Sequence, residues 1–274
     1  MVRNGGIRML RERDYDENLF KDLKIDCSKC FGLCCVALFF SKCDGFPINK
    51  AAGKPCLNLN SDFSCKIHQN LRDQGLKGCT TYDCFGAGQK VAQINYRGIS
   101  WKEEAHSAQK MYDDFLVMRQ LHEMMWYLTD ASTFMLPKVL KEKVLKLREE
   151  TIFGVNIEAH RVKVNACLKE VQAVVSQQVV SNSVVSGFDF IGKNLMKKSL
   201  RGANFAGSLL IAANLRNADL AGANFIGADL RDADLRGADL SECLFLTQLQ
   251  VNSAKGNQAT NLPKFIERPS YWEK

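Results

Sequence analysis

The chain has 274 residues, of which 46% are hydrophobic and 24% charged, so it is long enough for two cores and too apolar for global disorder. Its formal charge is +7, but residues 1–26 and 187–246 each balance to zero, the latter with seven basic and seven acidic side chains. Zinc would bind the thiols as thiolates and lower the total further. The charge distribution therefore argues against a nucleic-acid partner.

Targeting and membrane segments are not predicted. No window approaches the roughly 18 consecutive apolar residues of a spanning helix. The start, MVRNGGIRMLRERDYDENLF, has no apolar run behind its basic residues and does not resemble a signal peptide. We therefore expect no membrane partner and a location in the reducing cytoplasm, where disulfides do not persist.

Residues 1–98 are predicted to form a polar lead-in followed by a loop-rich, cysteine-rich metal module. Nine of the 11 cysteines fall between positions 27 and 84, in a segment with many glycines and little apolar material. Such a segment needs crosslinks, such as bound metal ions or disulfides, in order to fold. A C-x2-C turn brings two thiolates onto one ion, and CKIH places an imidazole three residues after a thiol. We interpret the following residues as metal ligands: Cys27, Cys30, Cys34, Cys35, Cys56, Cys65, His68, Cys79 and Cys84.

The number of potential ligands, ten with Cys43, exceeds the eight that two tetrahedral sites use, and predicts about two zinc ions. Cys43 is the first residue to exclude from the ligand set, because the sequence around it, SKCDG, is typical of an isolated polar turn. Iron is the alternative metal, and His68 favours zinc or mononuclear iron over an iron–sulfur cluster. Disulfides and an iron–sulfur cluster are the two other interpretations that the cysteines leave open.

The cysteine segment also resembles a known group of families. Over residues 26–90 it is similar to the small bacterial CxxCxxCC zinc- or iron-chelating proteins, through the pieces GKPC, CKIH and GCTTYDC that follow the first cluster. The first cluster departs from that pattern by one additional residue before Cys34 and Cys35. The resemblance implies metal chelation by this module.

Residues 99–186 are predicted to be a helical connector that forms a small three-helix bundle. A first helix is indicated by apolar residues at three- and four-residue steps, namely Phe115, Met118, Leu121, Met125 and Leu128. Pro137 predicts the first turn of a second helix, which carries Val139, Leu140, Val144, Leu145 and Leu147. A third helix is predicted from about 156 to about 181. Cys167 is expected to be a core residue of that helix.

Two residues on the first predicted helix have a spacing that occurs in catalytic metal sites. Glu103 and His106 form an E-x-x-H step, the spacing of di-iron bundles, but the second step that such a site needs is absent from the sequence. We therefore interpret the pair as part of a solvated helix face. No other catalytic pairing has support from its spacing.

From Phe188 the apolar pattern has a period of five. The central apolar positions are Phe190, Leu195, Leu200, Phe205, Leu210, Leu215, Leu220, Phe225, Leu230, Leu235, Leu240 and Phe245. Two residues before most of them lies a small residue: Ala203, Ser208, Ala213, Ala218, Ala223, Ala228, Ala233, Ala238 or Cys243. This period fits neither one helical face nor a flat strand, but it fits a chain that turns a corner once per pentapeptide. Phe205, Phe225 and Phe245 recur at every fourth pentapeptide, which predicts four pentapeptides per coil.

These A(N/D)Lxx units resemble the pentapeptide-repeat proteins, which implies a right-handed quadrilateral β-helix of about three coils at residues 187–247. Lys193 and Lys198 replace the small residue and predict an irregular first coil. A solenoid needs covered ends. We expect the third helix to cover one end, and residues 248–274 to cap the other through Leu262, Phe265 and Trp272.

Three functions follow from these features. The first is a metal-binding scaffold or interaction protein with an unidentified protein partner, for which a homodimer is left open. The second is a metalloenzyme that uses iron or zinc at the cysteine cluster. The third is a DNA mimic that modulates a topoisomerase, as the quinolone-resistance pentapeptide proteins do for DNA gyrase. A mimic needs a long acidic rod, and a three-coil stack without net charge counts against it.

Overall fold

The computed structural model describes residues 9–71, 73–80, 82–152, 154–179 and 187–272. Within these ranges the α-helices are α1 (Leu33–Ala37), α2 (Lys77–Thr80), α3 (Ala87–Lys90), α4 (Ala108–Ser132), α5 (Lys138–Glu150), α6 (Ile157–Gln178) and α7 (Gln248–Ser253). Short 3-10 turns occupy Glu17–Leu23, Cys27–Lys29, Lys42–Asp44, His68–Asn70 and Ala105–Ser107. None of the helices in the described part of the chain is long and apolar enough to cross a membrane.

The chain divides into two compact units. The coil unit comprises Met1–Leu19, Tyr127–Arg148 and Val162–Lys274. The cysteine unit comprises Phe20–Trp126 and Glu149–Arg161. The segment predicted as a separate helical connector therefore contributes residues to both units, and α4 passes from one to the other.

Helix α4 confirms the first predicted helix, with two corrections. Phe115, Leu121 and Leu128 are fully buried, but Met124 is buried where Met125 was predicted and Met125 is half-buried. Glu103 and His106 precede the helix, which begins at Ala108, so they do not share its face. The Glu103 carboxylate instead accepts hydrogen bonds from the backbone N–H and the hydroxyl of Ser100 at 2.7 Å.

Helices α5 and α6 confirm the second and third predicted helices. The carbonyl of Pro137 accepts a hydrogen bond from the Lys141 N–H at 2.9 Å, which places the proline at the start of α5. Leu140, Val144 and Leu147 are buried, whereas Val139 and Leu145 are exposed. Helix α6 ends at Gln178, and its predicted end near 181 falls outside the described residues. Cys167 is fully buried, as predicted.

The repeat segment stacks with a period of four pentapeptides. Parallel bridges join residues that are 20 positions apart, from Asp189 with Leu209 to Asn224 with Leu244. The prediction of four pentapeptides per coil is therefore confirmed. These pairs are isolated bridges, and the described part of the repeat contains no continuous strand.

The interior of the coil is as predicted. All twelve central apolar residues and all nine small residues are buried. The rings of Phe205 and Phe225 stack with centroids 5.5 Å apart, and Phe190 meets Phe205 edge-on at 5.4 Å. Phe205 and Phe225, which are four pentapeptides apart, thus pack on one another in successive coils.

Two local features form the corners of the coil. The side chain of the Asn or Asp before most of the central residues accepts a hydrogen bond from the N–H two residues later, as Asn214 does from Arg216 at 3.2 Å. The second residue after each central residue from 190 to 235 has a positive φ. Glycine occupies six of these ten corner positions, because a side chain is disfavoured in the left-handed region.

The first coil is regular, so the predicted irregularity is wrong. Its residues make the same parallel bridges as the later coils, and the N–H of Lys193 and of Lys198 closes the usual turn. The side chains of both lysines are exposed, and a long polar side chain is therefore accommodated in solvent at these two positions.

The C-terminal tail continues the stack. Asp234 pairs with Lys255 and Asp239 with Asn261, and α7 begins at a capping box formed by Thr247 and Gln250. Phe265 and Trp272 are buried as predicted, whereas Leu262 is half-buried and Ile266 is buried in addition.

A buried ion pair joins the lead-in to the last coil. The sequence did not indicate this pair. Arg11 Nη1 lies 2.6 Å from Asp130 Oδ1, and its Nη2 donates to the carbonyl of Cys243 at 2.5 Å. Asp130 Oδ2 in turn accepts from the Phe245 N–H at 2.6 Å. Removing one partner would leave a buried charge, which costs about 3–5 kcal/mol.

The corner conformation generates a stability prediction. Ala212 has a φ of 54° and is exposed, so Ala212→Gly should raise the free energy of unfolding of the coil unit by about 0.5–1 kcal/mol. The matched variant Ala206→Gly, at a position without a positive φ, should lower it by about 0.5–1 kcal/mol. Urea unfolding of the full chain, followed by circular dichroism, measures both, and equal shifts in one direction would contradict this account of the corners.

Candidate metal centre

The cysteine unit encloses a cavity of about 450 Å³ whose wall carries most of the predicted ligands. Seven cysteines and one histidine line it: Cys27, Cys30, Cys34, Cys35, Cys65, His68, Cys79 and Cys84. The remaining wall includes the aromatic residues Phe39, Phe40, Phe46, Phe63, Tyr82 and Phe115. Segments that are far apart in the chain, from Cys27 to Cys84, thus present thiols to one apolar space.

Cys56 and Cys43 lie outside the wall, in different surroundings. Cys56 is half-buried, packs against Phe40, Phe46 and Leu76, and donates its N–H to the carbonyl of Cys35 at 3.0 Å. Cys43 is exposed in the turn Lys42–Asp44. All eleven cysteines are free thiols, which differs from the disulfide interpretation that the sequence left open.

Two copies of the tripeptide Cys-Phe-Gly position two of the thiols. Cys30 and Cys84 each precede a phenylalanine and then a glycine, and the glycines, Gly32 and Gly86, cap α1 and α3 with φ values of 63° and 74°. A Cβ on Gly86 would lie 2.3 Å from the carbonyl oxygen of Asp22, so only glycine fits there. The repeated tripeptide is the sequence signal that marks these two thiols as a pair.

Backbone N–H groups point at four of the sulfurs. The N–H groups of Gly32 and Leu33 donate to Cys30, and those of Gly86 and Gly88 donate to Cys84. Farther along the chain, Ile67 donates to Cys65, and Asn58 donates to Cys56 at 3.4 Å. In all four cases a donor is the residue two positions after the cysteine. Because these hydrogen bonds favour the thiolate, they suit sulfurs that bind a cation.

Burial dominates the acidity of the thiols. It raises the pKa of Cys30 and of Cys79 to about 12, and it also raises the pKa of Cys84. These thiols are therefore protonated near neutral pH unless a cation replaces the proton.

Cys34 and Cys35 form a coupled pair. Their sulfurs are 3.9 Å apart. The hydrogen bond between them raises the pKa of Cys34 and lowers that of Cys35, so the shared proton stays on Cys34. Lys50 also lowers the pKa of Cys35, and its Nζ donates to the carbonyl of Val36 at 3.1 Å. Cys35 is therefore the thiol most ready to meet a metal ion.

The donor set fits a soft divalent metal. Thiolates and imidazoles are the preferred ligands of zinc, and mononuclear iron accepts the same groups. Within the described ranges, no three His, Cys, Asp or Glu side chains are already arranged to hold one ion. Side-chain rotation about a largely fixed backbone would therefore have to complete a site.

Several other polar groups are accounted for by the fold. His122 Nδ1 lies 2.6 Å from the carbonyl oxygen of Phe85, and His160 Nε2 lies 2.8 Å from the Thr151 hydroxyl. Asp83 accepts the Phe85 N–H at 2.7 Å, and burial raises its pKa to about 6. Asp83 and Lys50 are ionisable residues beside the thiols. No sequence pattern predicted that either would lie there.

Comparison with known proteins supports the repeat assignment and finds a full-length relative. The family described as Pentapeptide repeats matches eight copies in this chain, at residues 199–237 and 208–245. The uncharacterized protein YybG of Bacillus subtilis (strain 168) is 45% identical over 279 residues, which cover 97% of this chain and 100% of that protein.

Solved structures match part of the chain. A pentapeptide repeat protein, Rfr23, from the cyanobacterium Cyanothece 51142 is 28% identical, with a TM-score of 0.26, over 28% of this chain and 52% of that protein. A pentapeptide repeat protein of the Arabidopsis thaliana thylakoid lumen is 33% identical, with a TM-score of 0.18, over 31% of this chain and 54% of that protein. The chain thus spans about half the length of each of these two proteins.

The raised thiol pKa values predict how zinc binding depends on pH. Each ligand thiol must lose its proton to bind, so zinc uptake should release protons, and the apparent affinity should rise with pH throughout the range below the thiol pKa values of about 12. Zinc titration of metal-free full chain at pH 6, 7 and 8, in buffers of different ionisation enthalpy, measures both effects. Cys43→Ser is the control and should release as many protons as the unaltered chain. An affinity independent of pH would contradict thiol ligation.

Proposed function

The chain belongs to the family of the Bacillus subtilis protein YybG, and on that premise we propose that it is a zinc-binding scaffold protein with a pentapeptide-repeat interaction domain. One observation carries the proposal: seven thiols and an imidazole line a single cavity. Thiols scattered through an ordinary core would not converge in this way. When bound, zinc supplies crosslinks between chain segments that have little apolar material of their own.

The metal is proposed to stabilise the cysteine unit. One apolar cluster among the described residues of this unit contains only Phe40, Phe46 and Leu76. Leu57, exposed by 70%, and Phe39, exposed by 59%, contribute little to the core. Since so small a cluster offsets little conformational entropy, about two metal ions would supply the stabilisation that the segments around Phe40, Phe46 and Leu76 lack.

The repeat is proposed to form a right-handed quadrilateral β-helix at residues 187–247 and to display its outward side chains to a protein partner. The bridges between residues four pentapeptides apart and the buried inward positions support this geometry. The outward positions carry mixed side chains, such as the salt-bridged Arg201 and Asp219 and the exposed Phe188 and Ile191. Exposed apolar side chains beside polar ones are typical of protein-binding surfaces.

The proposal includes a reducing cytoplasmic location, which the eleven free cysteines support. It does not include DNA mimicry, because the repeat carries equal numbers of basic and acidic side chains.

A metalloenzyme is the second candidate, and the size of the cavity favours it. About 450 Å³ is far more than two ions occupy, since a single water takes about 30 Å³ of liquid volume. The remaining space could hold a small organic molecule beside an open coordination position. Iron in the isolated protein, with a visible absorption band, would favour this candidate over the scaffold.

Metal content and chelation test the scaffold proposal. Full chain purified without added metal should contain about two zinc ions by elemental analysis. Removal of the ions by a strong chelator should speed amide hydrogen exchange at residues 27–98 and leave exchange at 199–245 unchanged. Cys43→Ser should retain both the metal and the protection. Protein that contains no metal, or that keeps its protection at 27–98 after chelation, would contradict the proposal.

A further inference from the structure

Two apolar clusters in the cysteine unit divide the thiols between them. Cys30, Cys34 and Cys84 pack against the first cluster, which we call the α1 cluster and which consists of Leu33, Val36, Ala37, Ala87, Val91, Met111, Tyr112, Phe115 and Met118. Cys56 and Cys79 pack against the second, the Phe40 cluster, which consists of Phe40, Phe46 and Leu76. Among the described residues no cysteine packs against both clusters, so their walls hold two sets of sulfurs.

The remaining cysteines join one set or the other by proximity. Cys27 interacts electrostatically most strongly with Cys84 and less strongly with Cys35 and Cys65, whereas Cys30 interacts with Cys84 and Cys27. The backbone N–H of Cys30 also donates to the carbonyl of Cys27 at 3.3 Å. Cys27 therefore belongs with the thiols of the α1 cluster.

A second set of neighbours surrounds Cys79. It interacts with Cys35, Cys56 and Cys65, and Cys65 interacts with Cys35 and Cys56. The Cys56 N–H donates to the Cys35 carbonyl at 3.0 Å, and these four thiols therefore form a second group, which adjoins the first at Cys34 and Cys27.

From these contacts we propose that the cysteine unit holds two separate metal sites, each with four cysteine ligands. The first site consists of Cys27, Cys30, Cys34 and Cys84, and the second consists of Cys35, Cys56, Cys65 and Cys79. This inference rests on the proposed function and deepens it by assigning every ligand. His68 and Cys43 are outside both sites, and eight thiols match the requirement of two tetrahedral ions.

The adjacent residues Cys34 and Cys35 serve different ions. Both lie on α1 with their sulfurs in contact, and it is their other neighbours that distinguish them. Cys34 interacts with Cys30 and Cys84 of the first site, whereas Cys35 lies within the group around Cys79. Their 3.9 Å contact is the point where the two sites meet.

The backbone donors and the charges follow the same division. Each site contains two sulfurs that accept an N–H from the residue two positions later, Cys30 and Cys84 in the first and Cys56 and Cys65 in the second. Lys50 interacts most strongly with Cys56 and Cys35 and less strongly with Cys34, which places a cation beside the second site, near its boundary with the first. Four thiolates and one divalent ion carry a charge of about −2, which this ammonium partly offsets.

Paired substitutions test the division by counting ions. Native mass spectrometry of the full chain should find two zinc ions in the unaltered protein. Cys30→Ser with Cys84→Ser, and separately Cys56→Ser with Cys79→Ser, should each leave one ion, because each pair removes ligands of one site. Cys30→Ser with Cys56→Ser should leave none. The matched control Cys43→Ser should keep two ions, and His68→Ala should also keep two, because the division leaves this cavity-lining imidazole outside both sites.

The same counts show how the inference fails. A within-site pair that loses both ions, a cross-site pair that retains one, or a His68→Ala protein that loses one would overturn the division while the proposed function stands. An unaltered protein without metal would overturn the proposed function, and the inference with it.

A second measurement on the unaltered chain avoids variants that fail to fold. The protein loaded with ¹¹³Cd should show two cadmium resonances, and proton–cadmium correlation should link each resonance to the β-protons of its own four cysteines. One resonance coupled to both Cys34 and Cys35, or a cysteine coupled to both ions, would overturn the inference.

Discussion

The convergence of thiols on one cavity is the constraint on which the cysteine unit depends. The helices α1, α2 and α3 are each only about one turn long and cannot be stable by themselves. Two apolar clusters hold the loops together, and the smaller one contains Phe40 stacked on Phe46 at 4.4 Å. A metal-bridged cluster of sulfurs would turn this weak core into a rigid one.

The coil unit is stabilised in a different way, by repetition. Most pentapeptides supply one large and one small inward residue, one side-chain hydrogen bond at the corner and one residue with positive φ. Neighbouring coils share these interactions, so stability accumulates along the stack. The C-terminal tail adds a further layer: Trp272 lies against Gly256, where any Cβ would meet its ring at 2.2 Å. The buried Arg11–Asp130 pair joins the lead-in to the final coil in the same unit.

Local repetition explains what could be predicted from the sequence. The five-residue period encodes its own burial pattern, and so the inward residues of the coil and the number of pentapeptides per coil followed from the sequence alone. The density of cysteines likewise singled out the seven thiols that line the cavity. Features that depend on distant partners escaped prediction. Met124 rather than Met125 is buried because α4 is enclosed on more than one side, and nothing near Arg11 in the sequence indicates Asp130. The division of thiols between two apolar clusters also requires the folded chain, since Cys34 and Cys35 are adjacent in sequence and have different neighbours.

X-ray absorption at the metal edge of the full chain, isolated without added metal, tests the central claim most directly. The account predicts a first shell made of sulfur alone at about 2.3 Å, with four scatterers per zinc ion. A first shell dominated by oxygen or nitrogen, or the absence of a metal edge, would contradict it.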